Sequence, residues 1–319
     1  MKLKIVVLML TKNSDKWLNN VLRPIQKQQS DFDINLVLVD GFSTDDTVNK
    51  AKEWFPDLIL VRSKSRNLAE LRNIALKTAR DLTSDYMAFI DSDVQVPYNF
   101  FNRMIRLLKD SSIGIVGLRF ELERDPPKCF VSKYYRNRTD IARKGIHITD
   151  YTTTACSMWK TKLSEDIVLD TRFKRAGEDV DFNLQITAKG YKALVDSDDP
   201  PAWHIRAATV KEELHRVKDH GLARALLLNL HSKSISRSRR RKTFLAAFLV
   251  ACGWIGLVLI PWIGFWGLVP FAGLFFRQWT KTKQKWRIDH AFFGLLMSVI
   301  YFTRFLQGML QYWRQSNET

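Results

Sequence analysis

The residues best able to do chemistry in this sequence are two aspartates that follow a hydrophobic run. Tyr86–Ile90 is apolar, and Asp91-Ser92-Asp93 ends it, a pattern typical of a buried strand that stops at the rim of a sheet. Ligands of open α/β sheets bind beyond the carboxyl ends of the strands. Two carboxylates placed there can hold a divalent cation and, through it, a diphosphate. Alone the pair is a weak signal, because most such pairs are solvated turns.

Other acidic residues occupy similar places. Asp40 follows the predicted buried strand Ile34–Val39, and Glu178, Asp179 and Asp181 open a predicted helix over residues 177–190. Each also has a plain structural interpretation, since aspartate favours turns and acidic residues favour helix N-termini. Their recurrence after strands and before helices nevertheless indicates one cleft lined by carboxylates.

The elements that must position these residues alternate along the chain. Apolar runs predict strands, and segments with helical spacing predict helices between them. The predicted strands are 4–10, 34–39, 58–61, 86–90 and 113–122. One predicted helix follows Ser14, and the others cover 48–55, 68–79, 177–190 and 210–230. This alternation predicts an α/β fold with a mainly parallel, doubly wound sheet, and the stretch from about 124 to 176 is predicted to be irregular.

The last third of the chain differs in composition. Thr243–Phe276 has no charged residue, and Ala291–Tyr312 has only Arg304. A spanning helix needs ~20 apolar residues. Pro261 and Gly264 favour a hairpin in the first block, with a re-entrant or interfacial pair as the alternative. The predicted spans are about 244–260, 263–276 and 290–312.

The charge distribution gives a predicted orientation. The net charge of +17 is concentrated in part in two basic runs, Lys233–Lys242 and Arg277–Arg287, which flank the first apolar block and belong on the cytoplasmic side. We therefore expect a cytosolic domain over 1–230, with an amphipathic interface helix at about 208–232, and a multi-pass region over 231–319 in the cell membrane. Membrane lipids are the expected partners of the basic runs. No nucleic-acid module occurs, so no nucleic-acid partner is expected.

Five segments together resemble a known family. They occur in the family's order and at similar spacing across residues 4–221. The segments are Leu8–Asn13, Val37–Thr47, Arg72–Ala75, Phe89–Asp93 and Gly177–Asp181. The chain resembles the family 2 glycosyltransferases with the GT-A fold, a group that includes polyprenyl-phosphate sugar transferases and bacterial polysaccharide glycosyltransferases.

The resemblance implies a donor site for a nucleotide sugar. Thr11 and Asn13 would line the uridine pocket, and Asp40 would accept a hydrogen bond from the base or ribose. Arg72 would neutralise phosphate or orient the sugar, and Asp91 would contact the ribose or the metal. Many relatives have a second acidic residue where Gly41 stands and Glu where Ser14 stands, so the donor preference does not transfer.

The resemblance also implies a metal and a base. Asp93 would bind Mg²⁺ or Mn²⁺ directly, with Asp91, Gln95 and His204 as further candidates for the metal shell. Asp179 would be the general base that takes the proton of an acceptor hydroxyl during an inverting displacement. Glu178 and Asp181 would support it or contact the acceptor.

The expected function is metal-dependent transfer of a sugar, most simply from a UDP-sugar, to a lipid-linked acceptor at the cytoplasmic membrane face. The acceptor stays open between a polyprenyl or dolichyl phosphate and a lipid-linked oligosaccharide. A processive polysaccharide synthase, a nucleotidyltransferase and an inactive membrane scaffold are the alternatives. Processive polysaccharide synthases usually carry a Gln-x-x-Arg-Trp motif, which this sequence lacks.

Overall fold

The structure is a computed structural model that describes residues 2–122, 129–138, 144–205, 209–285 and 287–317. Contacts divide the chain into two units. The first contains residues up to 127 together with 144–207, and the second contains 128–143 together with the chain from 208 onward. The chain therefore leaves the first unit and returns to it before entering the second for good.

The first unit is built on an eight-stranded sheet. The strands of this unit, in chain order, are β1 (Lys4–Thr11), β2 (Asp33–Asp40), β3 (Ile59–Arg62), β4 (Tyr86–Ile90), β5 (Val94–Gln95), β6 (Ile113–Leu118), β7 (Phe120–Leu122), β8 (Ile146–Thr149), β9 (Cys156–Lys160), β10 (Lys192–Asp196) and β11 (Ala202–His204). The large sheet has the order β3-β2-β1-β4-β9-β6-β10-β8, and a small sheet has the order β5-β11-β7. β1 pairs in parallel with β2 and β4, whereas β9 runs antiparallel to both β4 and β6.

Ten α-helices are found in the described parts of the chain, and those of the first unit alternate with its strands. The helices are α1 (Asp15–Gln26), α2 (Thr47–Trp54), α3 (Leu68–Arg80), α4 (Phe100–Leu108), α5 (Phe130–Arg136), α6 (Glu178–Ala188), α7 (Val210–Leu230), α8 (Arg237–Ile263), α9 (Val269–Thr280) and α10 (Ile288–Asn317). α3 begins where the Asn67 side chain accepts hydrogen bonds from two backbone N–H groups, which are otherwise unsatisfied at a helix start. α6 begins after Gly177, whose φ of 93° is left-handed and favours glycine.

The predicted α/β architecture with a mostly parallel sheet is confirmed. The prediction that residues 124–176 are irregular is wrong for the described part of that stretch, because α5, β8 and β9 lie within it; Pro126 and Pro127 lie outside the described residues. β9 occupies the middle of the sheet and is covered on both faces, so even Ser157 is fully buried. A strand buried on both faces shows no polar–apolar alternation, and this one also contains polar residues.

An aromatic cluster fixes α6 to the sheet. Phe89 of β4, Trp159 of β9 and Phe182 of α6 lie with ring centroids 4.7–5.4 Å apart, and all three are fully buried. Such pairs contribute about 0.5–1.5 kcal/mol each beyond their buried area. The cluster therefore holds the first turn of α6 next to the carboxyl end of β4.

The second unit consists of α5 and α7–α10. Two helical stretches are long and apolar enough to cross a membrane by length and composition, Arg237–Trp262 and Ile288–Arg314. Between them the chain reverses, because Gly256 and Gly267 are so close that a Cβ on either would lie 2.2 Å from the other's carbonyl oxygen. α9 is about 18 Å long, which is short of the ~30 Å hydrocarbon core. The three predicted spans stay a prediction.

Candidate active site

The turns after β1 and β2 form one connected corner. Thr11 and Asp40 are register partners at the ends of these parallel strands, and Gly41 N donates to Thr11 O at 2.8 Å. Ser43 Oγ accepts from Asn13 N at 2.9 Å and donates to Asp40 Oδ1 at 2.5 Å. The structure thus brings together three residues predicted to bind the donor, Thr11, Asn13 and Asp40.

Some polar atoms of this corner have hydrogen-bond partners, and one buried atom has none in the described part of the chain. Asp40 is fully buried, its carboxylate also accepts from Ser43 N, and Arg62 Nε lies 3.8 Å away. Thr11 Oγ1 is buried and has no hydrogen-bond partner within the described residues. Sequence reasoning missed Ser43, although the Asp40-Gly41 pair just before it is a turn signal. Beside the corner, the exposed Phe42 ring faces Arg62 and Lys64, with their charged groups 6.0 and 5.6 Å from its centroid.

A buried arginine joins the next two acidic segments. Arg72, on α3, is 5% exposed. Its Nη2 lies 3.4 Å from Asp91 Oδ1, its Nε lies 3.3 Å from Glu178 Oε1, and its guanidinium lies 4.7 Å from the Phe89 ring centroid. Burial acts to lower the pKa of Arg72, but Asp91, Glu178 and Asp179 raise it above its ordinary value. Arg72 therefore stays charged and ties the end of β4 to the start of α6.

The two acidic residues at the start of α6 have perturbed acidity. Burial, followed by the neighbouring Asp179 charge, raises the pKa of Glu178 to about 7, and Glu178 Oε2 is buried without a partner among the described residues. Burial also raises the pKa of Asp179, against the opposing effect of Arg72. Asp179 is half-buried, and its Oδ1 accepts a hydrogen bond from Val180 N at 2.8 Å. A carboxylate with a raised pKa suits proton transfer near neutral pH.

The Asn183 side chain connects the Asp179 backbone to Thr152. The Asn183 side chain is fully buried, donates to Asp179 O at 2.8 Å and accepts from Thr152 N at 3.1 Å. Asp181, in contrast, is buried at 1% exposure, and its carboxylate accepts from Asp170 N and the Gln185 amide. The geometry thus gives Asp181 a role in holding the preceding loop, while its predicted supporting or acceptor role stays a prediction.

Asp93 and His204 form a second polar pair at the same edge. β5 pairs antiparallel with β11, with His204 opposite Val94 and Gln95 opposite Trp203, so His204 Nε2 lies 3.4 Å from Asp93 Oδ2. Within the described ranges, no group of three or more acidic, histidine or cysteine side chains is gathered for a metal ion. One carboxylate and one imidazole suit a cation that takes its remaining ligands from substrate phosphate and water.

Comparisons with known proteins identify one family and several solved structures with a similar fold. The family model described as "Glycosyl transferase family 2" matches residues 6–168, about half of the chain. A mannosyltransferase from Pyrobaculum calidifontis, solved with GDP-Man and Mn²⁺, is 18% identical with a TM-score of 0.56 over 97% of this chain and 88% of its own. Residues 1–349 of S. aureus TarS, solved with UDP-GlcNAc, give 17% identity and a TM-score of 0.54 over 98% and 92%.

The match to the longer TarS structure covers 95% of this chain but only 55% of that chain, at 17% identity and a TM-score of 0.51. The present chain therefore spans little more than half of that relative. No curated protein matches the chain.

Proposed function

Because the chain belongs to glycosyl transferase family 2 and is a glycosyltransferase, we propose that it transfers a sugar from a UDP-sugar to a lipid-linked acceptor at the cytoplasmic face of a membrane. Its fold is the expected GT-A fold, and enzymes of this family use nucleotide-sugar donors. The choice of UDP rests on the Thr11, Asn13 and Asp40 corner. TarS was solved with UDP-GlcNAc and the Pyrobaculum enzyme with GDP-Man.

The observation that carries the proposal is the Arg72 contact with both Asp91 and Glu178. These residues are far apart in the sequence, and one buried guanidinium brings their segments together. Asp91 follows the strand that leads to Asp93, and Glu178 precedes Asp179. The donor side and the acceptor side of a transfer site are thereby held at one edge of the sheet.

Asp179 is the proposed base. Its raised pKa favours accepting a proton at neutral pH, and Asn183 fixes the backbone on which it sits. A hydroxyl acceptor must lose a proton as its oxygen attacks the anomeric carbon, and Asp179 would accept it. An acceptor that is already a phosphate needs little base catalysis, so Asp179 would then orient it.

Asp93 is the proposed direct metal ligand, with His204 beside it and Asp91 and Gln95 as the remaining candidates. A Mg²⁺ or Mn²⁺ ion held there would stabilise the charge that develops on the diphosphate leaving group. The Mn²⁺ of the Pyrobaculum enzyme supports this choice. Asp93 and His204 together supply oxygen and nitrogen donors, and their side chains are about one-quarter exposed.

The acceptor assignment rests on the second unit. Its apolar helices and basic runs favour attachment to a bilayer with the basic runs on the cytoplasmic side. Lipid-linked acceptors reside at such a surface. We therefore prefer a polyprenyl or dolichyl phosphate, or a lipid-linked oligosaccharide, to a soluble acceptor.

The proposal is tested by incubating membranes that contain the protein with radiolabelled nucleotide sugars and Mn²⁺. We expect label in an organic-extractable product and a strong loss of it in Asp93→Ala. Asp57→Ala, which makes the same change at an exposed aspartate, is the matched control. Unchanged labelling in Asp93→Ala would exclude the metal assignment.

A second variant distinguishes the two acceptor classes. Asp179→Asn should lower the rate roughly 10²–10⁴-fold if the acceptor is a hydroxyl, and much less if it is a phosphate. Label that appears only in water-soluble products would exclude a lipid-linked acceptor. Release of pyrophosphate from nucleotide and sugar phosphate would instead identify a nucleotidyltransferase.

A further inference from the structure

α7 and α10 lie side by side and run in the same direction. A Cβ on Gly221 of α7 would meet Tyr301 O at 2.3 Å, and a Cβ on Gly308 of α10 would meet Ala225 Cβ at 2.8 Å. Higher residue numbers on one helix therefore face higher numbers on the other. The first half of α7 consequently lies at the level of the first half of α10.

That first half of α7 is strongly polar. Over Lys211–His220 most side chains are charged or histidine, and the exposed ones are Lys211, Glu212, His215, Arg216, Lys218 and His220. If α10 crossed a bilayer, these side chains would be carried into the hydrocarbon beside it, where charged groups are strongly disfavoured. The packing of α7 on α10 therefore opposes a transmembrane α10.

The contacts between α10 and the hairpin formed by α8, residues 264–268 and α9 also oppose a transmembrane α10. Phe244 of α8 packs on Phe305 at 5.8 Å between ring centroids. On α9, Phe275 packs on Phe292 at 4.7 Å, and the Gln278 amide donates to Ser298 Oγ at 2.7 Å. The α9 contacts thus do not move back toward the start of α10 as α9 nears its end, so α9 crosses α10 and is not its antiparallel neighbour. Two spanning helices joined by a short loop would pack antiparallel, with contacts that advance in opposite directions.

The two elements also expose different apolar surfaces. The hairpin tip is almost bare, with Trp262, Phe265 and Trp266 77–84% exposed. α10 exposes one stripe, which includes Ile288, Phe292, Leu296 and Leu310. Those four positions recur at multiples of three to four residues, so they lie on one helical face.

We propose that α10 lies in the plane of the membrane surface and does not cross it, so that only the hairpin enters the bilayer. The exposed stripe of α10 then rests on the acyl chains, as in interfacial amphipathic helices, and the polar half of α7 stays in water. The partner of this surface is a lipid bilayer. This arrangement keeps Arg304 out of the hydrocarbon, because its Cβ faces Gly221 of α7.

The inference is tested by the side of the membrane on which Arg314 lies. Single cysteines are introduced as Arg314→Cys and, as a reference in the basic run before the hairpin, Ser238→Cys, in a chain whose three native cysteines are replaced by alanine. Cells are treated with a membrane-impermeant maleimide before and after permeabilisation. We expect Arg314→Cys to show the same ratio of labelling before and after permeabilisation as Ser238→Cys.

Labelling of the two cysteines from opposite sides would overturn the inference and establish α10 as a span. If Arg314→Cys does not accumulate, Gln311→Cys, which is also exposed, carries the same test. The result is independent of the transferase proposal, because it compares two positions in one chain and needs no activity. Retention in membranes after an alkaline wash measures attachment separately.

Discussion

Glu178 gives the sharpest prediction about the energetics of the site. Its carboxyl is buried, and its pKa is raised to about 7 against an ordinary value of 4.5. The folded protein therefore binds this proton more tightly than the unfolded chain does. The stability that this group contributes is complete below pH 4.5 and is lost as the pH rises through about 7. At 1.36 kcal/mol for each pKa unit, the loss amounts to roughly 3 kcal/mol.

Glu178→Gln removes the titration and keeps the shape of the side chain. We expect the free energy of unfolding of the variant to gain roughly 3 kcal/mol relative to wild type between pH 4.5 and 8. For a domain of this size the difference corresponds to about 6–12 °C in melting temperature. The assay is thermal unfolding of the purified full chain in detergent across this pH range. Glu165→Gln, at an exposed carboxylate, should run parallel to wild type.

Parallel curves for Glu178→Gln and wild type would refute the reasoning. They would show that the pKa of Glu178 is the same in the folded and the unfolded chain, so that Arg72 fully offsets the effect of burial. A Glu178→Gln variant that is destabilised equally at all pH values would also refute the reasoning, and the constant difference would reflect the weakened contact with Arg72.

Three further substitutions test the site and the hairpin. Arg72→Met should lower the free energy of unfolding by about 3 kcal/mol, because it leaves the buried Glu178 and the partly buried Asp91 without their cation; thermal unfolding should show a larger loss than for an exposed arginine. Ser43→Ala removes the hydroxyl that joins the turns after β1 and β2. Its KM for the nucleotide sugar should rise about fivefold to tenfold with kcat little changed, and an unchanged KM would place the donor elsewhere. Gly267→Val should reduce membrane retention, because its Cβ would meet the Gly256 carbonyl, whereas Gly273→Val, with open space around it, should not.

The sequence predicts those parts of the fold that depend on residues close to one another along the chain. β2 and β4 are mainly apolar strands, and Asp40 and Asp91 stand where they end. Because carboxyl ends of parallel strands meet at one edge, their turns could be expected to share a cleft. α7 likewise begins and ends where its pattern predicts, at Val210 and Leu230.

The remaining parts depend on contacts between distant residues. Arg72 reaches Glu178 across 106 positions, and the sequence offers no sign that this arginine is buried among carboxylates. β9 lies between two strands that precede it in the chain, so its place follows from the sheet as a whole. The direction of α10 beside α7 is a packing result, whereas its composition alone resembles that of a spanning helix.

The charges of the site give a physical reason to expect metal dependence at the binding step. Asp91, Glu178 and Asp179 surround Arg72, which can neutralise only one of them, and Asp93 adds a further carboxylate at the same edge, so acidic groups outnumber the arginine even where Glu178 holds its proton. A nucleoside diphosphate is itself an anion, so its approach is opposed unless cations accompany it. We expect UDP to bind at least about tenfold more weakly without Mn²⁺ than with it, a difference of about 1.4 kcal/mol, as measured by calorimetry. Asp93→Asn should lose most of the Mn²⁺ effect while keeping the weak metal-free binding. Equal UDP affinity with and without Mn²⁺ would mean that Arg72 suffices for the diphosphate, and the electrostatic argument would then be wrong.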